Sequence, residues 1–251
     1  IRPILRGRDI KRYGYQFANL YLICTFPSRK YDIEDFPAVK KHLLTFGYER
    51  LEQSGKIYNV NGEKIIARKR TNNKWFETQD SISYWDDFYK QKIIYPDIMR
   101  MPRQVEALKE YPYFYYDEKN FFAEATNFIM TGQDIDLIYL FLASELGFFA
   151  FSKFYTGPQF DETGFRYKKA YLYQTFIPKP NSHDMFVLRD LMRDLKVGSD
   201  TDNKINSVWY EIVGLNTEEI KYVSLYKERL LGGIIDESNL IIRKAVESVD
   251  Q

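Results

Sequence analysis

One stretch constrains this chain more than any other: Ile135 to Phe154 is almost continuously apolar. It carries Asp136, Glu145 and Lys153, which a bilayer-spanning helix tolerates poorly, and its length is marginal for a membrane. It therefore reads as a helix buried in a protein core. The rest of the chain suffices to build that core. Among 251 residues, 45% are hydrophobic and 28% charged, which excludes a disordered chain and allows one domain with an appendage or two small domains. Aromatic residues make up 17%, with 21 Tyr and 19 Phe, and belong mainly to the same core.

Charge is balanced overall. Lys and Arg number 36 against 35 Asp and Glu, a net charge of +1, so a polyanionic partner has to be met by local basic clusters and not by a global field. Cys24 is the single cysteine, which excludes an internal disulfide framework and fits a reducing compartment; a cytoplasmic location without membrane association is expected. His42 and His183 have no companion cysteine pair, so no zinc ligand set assembles by spacing. The chain opens at Ile1, without Met, directly into Arg2-Pro3-Ile4-Leu5-Arg6, unlike a signal peptide, and is expected to be part of something longer.

Local patterns predict a strand over Tyr15 to Phe26, then a short helix from Phe36 to Leu51 with Pro37 in its first turn. Asn61-Gly62 signals a hairpin between Ile57 to Val60 and Lys64 to Ala67. A helical patch at Tyr84 to Tyr89 precedes strands at Lys92 to Tyr95, Tyr111 to Tyr116 and Asn120 to Met130. After the apolar helix comes a loop at 157–164, and Ile177-Pro178-Lys179-Pro180 forms a stiff extended segment where a domain boundary is expected. Beyond it the sequence predicts a helix over Asp184 to Leu195, a loop at 198–206, a helix at Trp209 to Val213, and a last helix whose Asn216 and Glu219 have capping-box spacing. The fold expected is mixed α/β (α+β): a twisted, mostly antiparallel sheet with packed helices in residues 1–180, followed by a helical C-terminal segment in residues 181–251.

Catalytic chemistry is not visible. Neither GxGxxG nor GxxxxGK[ST] occurs, nor an Asn/Asp-Pro-Pro-aromatic tetrapeptide. Pro96-Asp97 invites a nuclease reading, but the nearest acid-x-Lys companion, Glu219-Ile220-Lys221, lies far off in a surface helix. Neither histidine stands near a nucleophile elbow, and the adjacent carboxylates Asp86-Asp87 and Glu218-Glu219 point to different helical faces. The chain alone is expected to be catalytically inert.

Positive charge concentrates in four segments: 1–13, 64–74, 100–109 and 166–169. Such clusters suit phosphate, since each contact releases condensed counterions, while Arg, Asn and Gln match base edges in the major groove. Arg6 and Arg8, flanking Gly7, suit backbone clamping, although Asp9 is placed to tie one of them down. Arg68, Lys69, Arg70, Asn72, Asn73 and Lys74 form one candidate contact loop, which a solvated hairpin tip explains as well. Arg100, Arg103 and Gln104 form another, with Arg166 and Lys168 in the last cluster. Both loops follow candidate strands, so strand pairing would bring them to one sheet end. By contrast, residues 199–219 hold Lys204 against Asp200, Asp202, Glu211, Glu218 and Glu219, a surface that repels phosphate.

The run Ile1-Arg2-Pro3-Ile4-Leu5-Arg6-Gly7-Arg8-Asp9-Ile10-Lys11-Arg12-Tyr13 resembles the opening of the TaqI-like C-terminal specificity domain, the target recognition domain of adenine-N6 DNA methyltransferases and type IIG restriction enzymes. Lys74-Trp75-Phe76-Glu77, Phe88, Lys92 to Ile98, Thr126 to Ile129, Leu140 to Leu146, Tyr171 to Pro178 and Val213 to Ile220 follow in that family's order, spanning about residues 1–220. The chain departs from the pattern in having Leu142-Ala143-Ser144 where the family often has Leu-Asn-Ser, so the hydrogen bond of that Asn does not carry over. The resemblance implies recognition of double-stranded DNA on behalf of methyltransferase and endonuclease domains of the same parent chain. S-adenosylmethionine and Mg would then be bound in those other parts, with no cofactor here. The alternative is a protein-protein assembly module whose terminal helices bind a partner.

Overall fold

The computed structural model of the chain describes residues 1–157, 161 and 163–233. The fold is α+β, with helices packed on short antiparallel strands that fall into several small sheets instead of one large one. Contacts divide the chain into two compact units, one made of Ile1–Ile4 and Asn19–Tyr89, the other of Leu5–Ala18 and the chain from Lys90 onward.

In the first unit, helix α1 (Pro37–Leu44) starts on Pro37, whose missing N–H is not needed there. The helix expected over Phe36 to Leu51 is interrupted at Gly47, which adopts φ 87°, and resumes as α2 (Tyr48–Leu51). The hairpin pairs Ile57–Val60 with Glu63–Ile66, and Asn61 and Gly62 take the positive φ values, 53° and 84°, that a tight two-residue turn demands. The strand expected over Tyr15 to Phe26 is not continuous. Gly14–Tyr15 pairs with Ile10–Lys11 in the second unit, whereas Tyr21–Leu22 pairs with Arg2 and Pro3 in the first, because the chain passes between units in this stretch.

The second unit centres on the fully buried strand Lys92–Pro96, flanked by Tyr115–Asp117 and Asn127–Met130. Lys92 and Asp117 pair at 2.5 Å with both side chains inaccessible, and Asp117 also accepts from the backbone N–H of Lys119 and Phe121. A buried pair so satisfied is strongly destabilising to break from one side. The apolar run is helical but not one helix. Helix α3 (Ile135–Ala143) stops at Ser144, which turns extended and caps helix α4 (Glu145–Ala150) by accepting from Gly147 N–H at 2.9 Å; a π-turn over Phe151–Tyr155 follows. The two limbs bend by 75°, and among the described residues no single helix is long and apolar enough to cross a membrane.

After a short helix α5 (Lys169–Leu172), α6 (Ser182–Met192) is capped by Asn181. The loop expected at 198–206 is instead largely the start of α7 (Asp200–Val213). Ser199 caps it, and Asp202, Ile205 and Asn206 turn inward, a face that the polar composition disguised. Helix α8 (Thr217–Ser224) carries the expected capping box between Asn216 and Glu219, and helical residues 226–233 follow.

The division between units does not fall at residue 180. Leu188, Ile205, Trp209 and Val223 share one core with Ile135 to Phe151, and Trp209 meets the Phe141 ring at 5.1 Å. Polar ties reinforce this. Buried Arg12 donates to Asp202 at 3.0 Å, to the Ala143 carbonyl at 2.6 Å and to that of Tyr111 at 3.2 Å. Lys227 donates to the carbonyls of Leu108 and Tyr111, and its burial pulls its pKa down to about 8.

Candidate nucleic-acid interface

In the first unit, the basic loop after the hairpin is built from the inside. Buried Gln53 donates through Nε2 to the carbonyls of Lys74 and Glu77, at 3.1 and 2.8 Å, and accepts from the Thr71 hydroxyl at 2.6 Å. Arg68 donates Nε to the Leu51 carbonyl at 2.8 Å, Nη1 to that of Glu77 at 2.9 Å, and Nη2 to that of Trp75. Asn73 bridges the carbonyls of Thr78 and Gln79 at 3.0 and 2.8 Å. Arg68 and Asn73 thus have their donors turned inward and act as staples of the loop, not as its reading groups. A guanidinium with five fixed donors is suited to closing a loop over carbonyls that face no strand.

What the staples present is different in kind. Lys69, Arg70, Asn72 and Lys74 are exposed on the outside of the same loop. Lys74 leans over the Phe76 ring, 5.5 Å from its centroid, and reaches the Tyr31 carbonyl at 3.4 Å. The loop therefore holds two ammonium groups, one guanidinium and one amide on a backbone fixed by buried hydrogen bonds, an arrangement that lowers the ordering cost of any binding.

The second unit holds a cleft of about 640 Å³, lined by Gly7, Arg8, Ile10, Lys11, Pro96, Asp97, Ile98, Tyr113, Ala125, Thr126 and Phe128. Its size is in the range of ligand-binding sites. Arg8 and Lys11 are exposed at its edge, and Lys11 Nζ bonds the Arg8 carbonyl at 2.9 Å. Gly7 must be small here, since a Cβ would lie 3.2 Å from Asn127 Oδ1 and 3.4 Å from Pro96 Cβ. Arg6 is turned away into a bidentate pair with Asp9, at 3.0 and 2.8 Å, and this bond holds the Asp9 carboxyl below its ordinary pKa.

The strand Ile98–Arg100 pairs with Gly164–Arg166, placing Arg166 opposite Ile98, and the Tyr167 N–H bonds the Asp97 carbonyl at 2.7 Å. The cluster holding Arg166 and Lys168 is thereby brought beside the cleft wall. At the other end of that strand Arg100 pairs with Asp161 at 2.8 Å, and Arg103 and Gln104 are exposed just before a 3-10 turn at Val105–Glu110. The expectation of one sheet end for both loops does not hold. Ile57–Val60 and Ile98–Arg100 belong to separate two-stranded sheets in different units, because each pairs with its own antiparallel partner.

Two residues that shape these candidate sites escaped the sequence reading. Gln53 carried no local signal, since its partners lie some twenty residues on and only folding reveals them. Lys11 was part of a cluster without being singled out, and the sequence shows no sign that it shares a cleft with Thr126. Among the described residues there is no group of three side chains able to hold a metal ion. No protein-family model matches the chain, and no curated protein matches it.

Proposed function

We propose that the chain is a sequence-specific double-stranded DNA recognition module of a restriction-modification enzyme, serving an adenine-N6 methyltransferase and, where the parent chain carries one, an endonuclease. The observation that carries this reading is the stapled loop of the first unit, in which Gln53, Arg68 and Asn73 fix the backbone while Lys69, Arg70 and Asn72 face outward. Lysines neutralise phosphate without reading sequence, whereas Arg70 and Asn72 carry the donors that match guanine and adenine edges. The Arg8 and Lys11 pair on the cleft of the second unit supplies further phosphate contacts. Methyl transfer, with S-adenosylmethionine, and metal-dependent cleavage belong to other parts of the parent protein.

Duplex binding by the purified chain, titrated at several salt concentrations, tests this. Affinity is expected to fall linearly on a log-log scale with salt, and Lys69→Ala to reduce the slope by about one. Salt-independent binding, or no binding, would sink the proposal. A second reading, a protein-assembly module, is favoured by Phe154, Tyr173, Phe176 and Phe186, each 67% exposed or more. Association through those rings would persist at high salt.

A further inference from the structure

Phosphate contacts account for the lysines and arginines around the hairpin of the first unit, but not for two isoleucines on it. Ile57 and Ile66 stand directly opposite each other in the ladder and are 61% and 64% exposed. One exposed aliphatic side chain needs no explanation, whereas two in register form an apolar patch that folding does not require.

The register sorts the hairpin into two unlike faces. Ile57, Asn59, Lys64 and Ile66 share one, all of them exposed, because cross-strand partners and alternate residues point to the same side. Tyr58, Val60 and Ile65 lie half-buried on the other, where the Tyr58 hydroxyl donates to the Glu52 carboxylate. Between residues 54 and 74 the one acid is Glu63, which belongs to this second face and pairs with Arg50 at 3.4 Å. The outward face of the hairpin thus carries no acid, while Lys56, Lys64, Lys69, Arg70 and Lys74 are exposed along the same segment. Among the described residues no third strand pairs with the hairpin, so it stands as a two-stranded ribbon. Its base is fixed: Ala67 N–H bonds the Lys56 carbonyl and Gly55 N–H that of Arg68, both at 2.9 Å. Arg68 is also the staple of the basic loop, so ribbon and loop hold one orientation.

We infer that this ribbon lies in the major groove of duplex DNA, with Ile57 and Ile66 against the C5 methyl groups of thymines and the lysines on neighbouring phosphates. This deepens, and rests on, the DNA-recognition reading above. A major groove about 12 Å wide admits a two-stranded ribbon. The base follows from what the groove displays: every base pair lines it with donors or acceptors, and thymine adds the one apolar group, its methyl. An isoleucine pressed against any other edge strips water from a polar group without replacing the bond, so it discriminates by penalty as well as by attraction. Asn59, on the same face, carries the amide that matches an adenine edge.

The test uses the 251-residue chain, its Ile57→Thr and Ile66→Thr variants, which keep the β-branch, and a random-sequence duplex DNA pool whose bound fraction is sequenced. The parent is expected to enrich thymine at one or two fixed positions, and each variant to lose that enrichment while keeping preferences elsewhere. A second measurement needs no protein variant. Replacing those thymines by deoxyuridine in a selected duplex removes only the C5 methyl, and should weaken the parent about fourfold per methyl, as loss of one buried carbon does, with little effect on the variants. A pool without a thymine position, or indifference of the parent to the methyl, overturns the role of the ribbon and leaves DNA recognition standing. Self-association of the parent that the variants abolish, with thymine discrimination unchanged, would make the isoleucine pair a protein contact and overturns it too. A pool from which the parent enriches nothing overturns both readings.

Discussion

Arg68 and Arg70 are two residues apart and of one type, yet the structure gives them opposite work. Arg68 closes the carbonyls of Leu51, Trp75 and Glu77, and burial lowers its pKa, whereas Arg70 is exposed. Removing Arg68 takes its donors from the Leu51 and Trp75 carbonyls and one of two donors from that of Glu77, which Gln53 also holds, so Arg68→Ala is expected to destabilise the first unit by about 2 to 4 kcal/mol. Arg70→Ala should change stability by no more than about 0.5 kcal/mol while altering base preference. Urea denaturation of both variants, beside duplex binding at fixed salt, checks the pair; equal stability losses would show that the staple has been misassigned. Composition alone makes these arginines equivalent. Only the partners, seventeen residues upstream and nine downstream of Arg68, tell them apart.

Elements were legible wherever local chemistry decides them. Asn61-Gly62 can hardly do anything but turn, Pro37 begins a helix, and the Asn216 to Glu219 box starts another; all three occur as read. The apolar run from Ile135 was read as helical, correctly, but its break at Ser144 was hidden because hydrophobicity continues through it. Ser144 is the cap that makes the second limb, and Gly147 is the residue that lets the limbs approach, for a Cβ there would lie 1.8 Å from the Phe141 carbonyl oxygen. Ser144→Ala is therefore expected to cost about 1 to 2 kcal/mol, as a lost cap does, while Gly147→Ala, which clashes with backbone that cannot rotate away, should cost more than about 4 kcal/mol. Unfolding midpoints by far-ultraviolet circular dichroism would show the order, and a mild Gly147→Ala would mean that the limbs open without penalty.

At the scale of the whole molecule, the chain enters the first unit with Ile1–Ile4, contributes Leu5–Ala18 to the second, returns, and leaves again at Lys90. No composition shift marks these crossings, which is why a boundary at the proline-rich segment 177–180 was the natural expectation. The same blindness applied to the C-terminal helices, which the boundary expected at 180 left outside the compact part of the chain. Their apolar positions say otherwise: Val223 and Leu231 are buried with Trp209, Tyr226 meets the rings of Phe148 and Phe149 at 6.0 and 5.0 Å, and Lys227 closes two backbone carbonyls. Deleting residues 215–251 should therefore do more than remove a docking surface. It strips apolar contacts from the core and takes the Lys227 ammonium from the Leu108 and Tyr111 carbonyls, which keep the Tyr111 N–H and Arg12 as donors, so the loss is chiefly a cavity penalty of several kcal/mol, comparable to the whole stability of a domain. In a background carrying Trp75→Phe and Trp85→Phe, emission reports Trp209 alone, which is fully buried in the intact chain. Truncation is expected to shift that emission to the red and to abolish duplex binding, whereas Lys69→Ala and Arg8→Ala should weaken binding with the emission unchanged. Emission that stays blue in the truncated chain would show that the second unit holds its core without these helices.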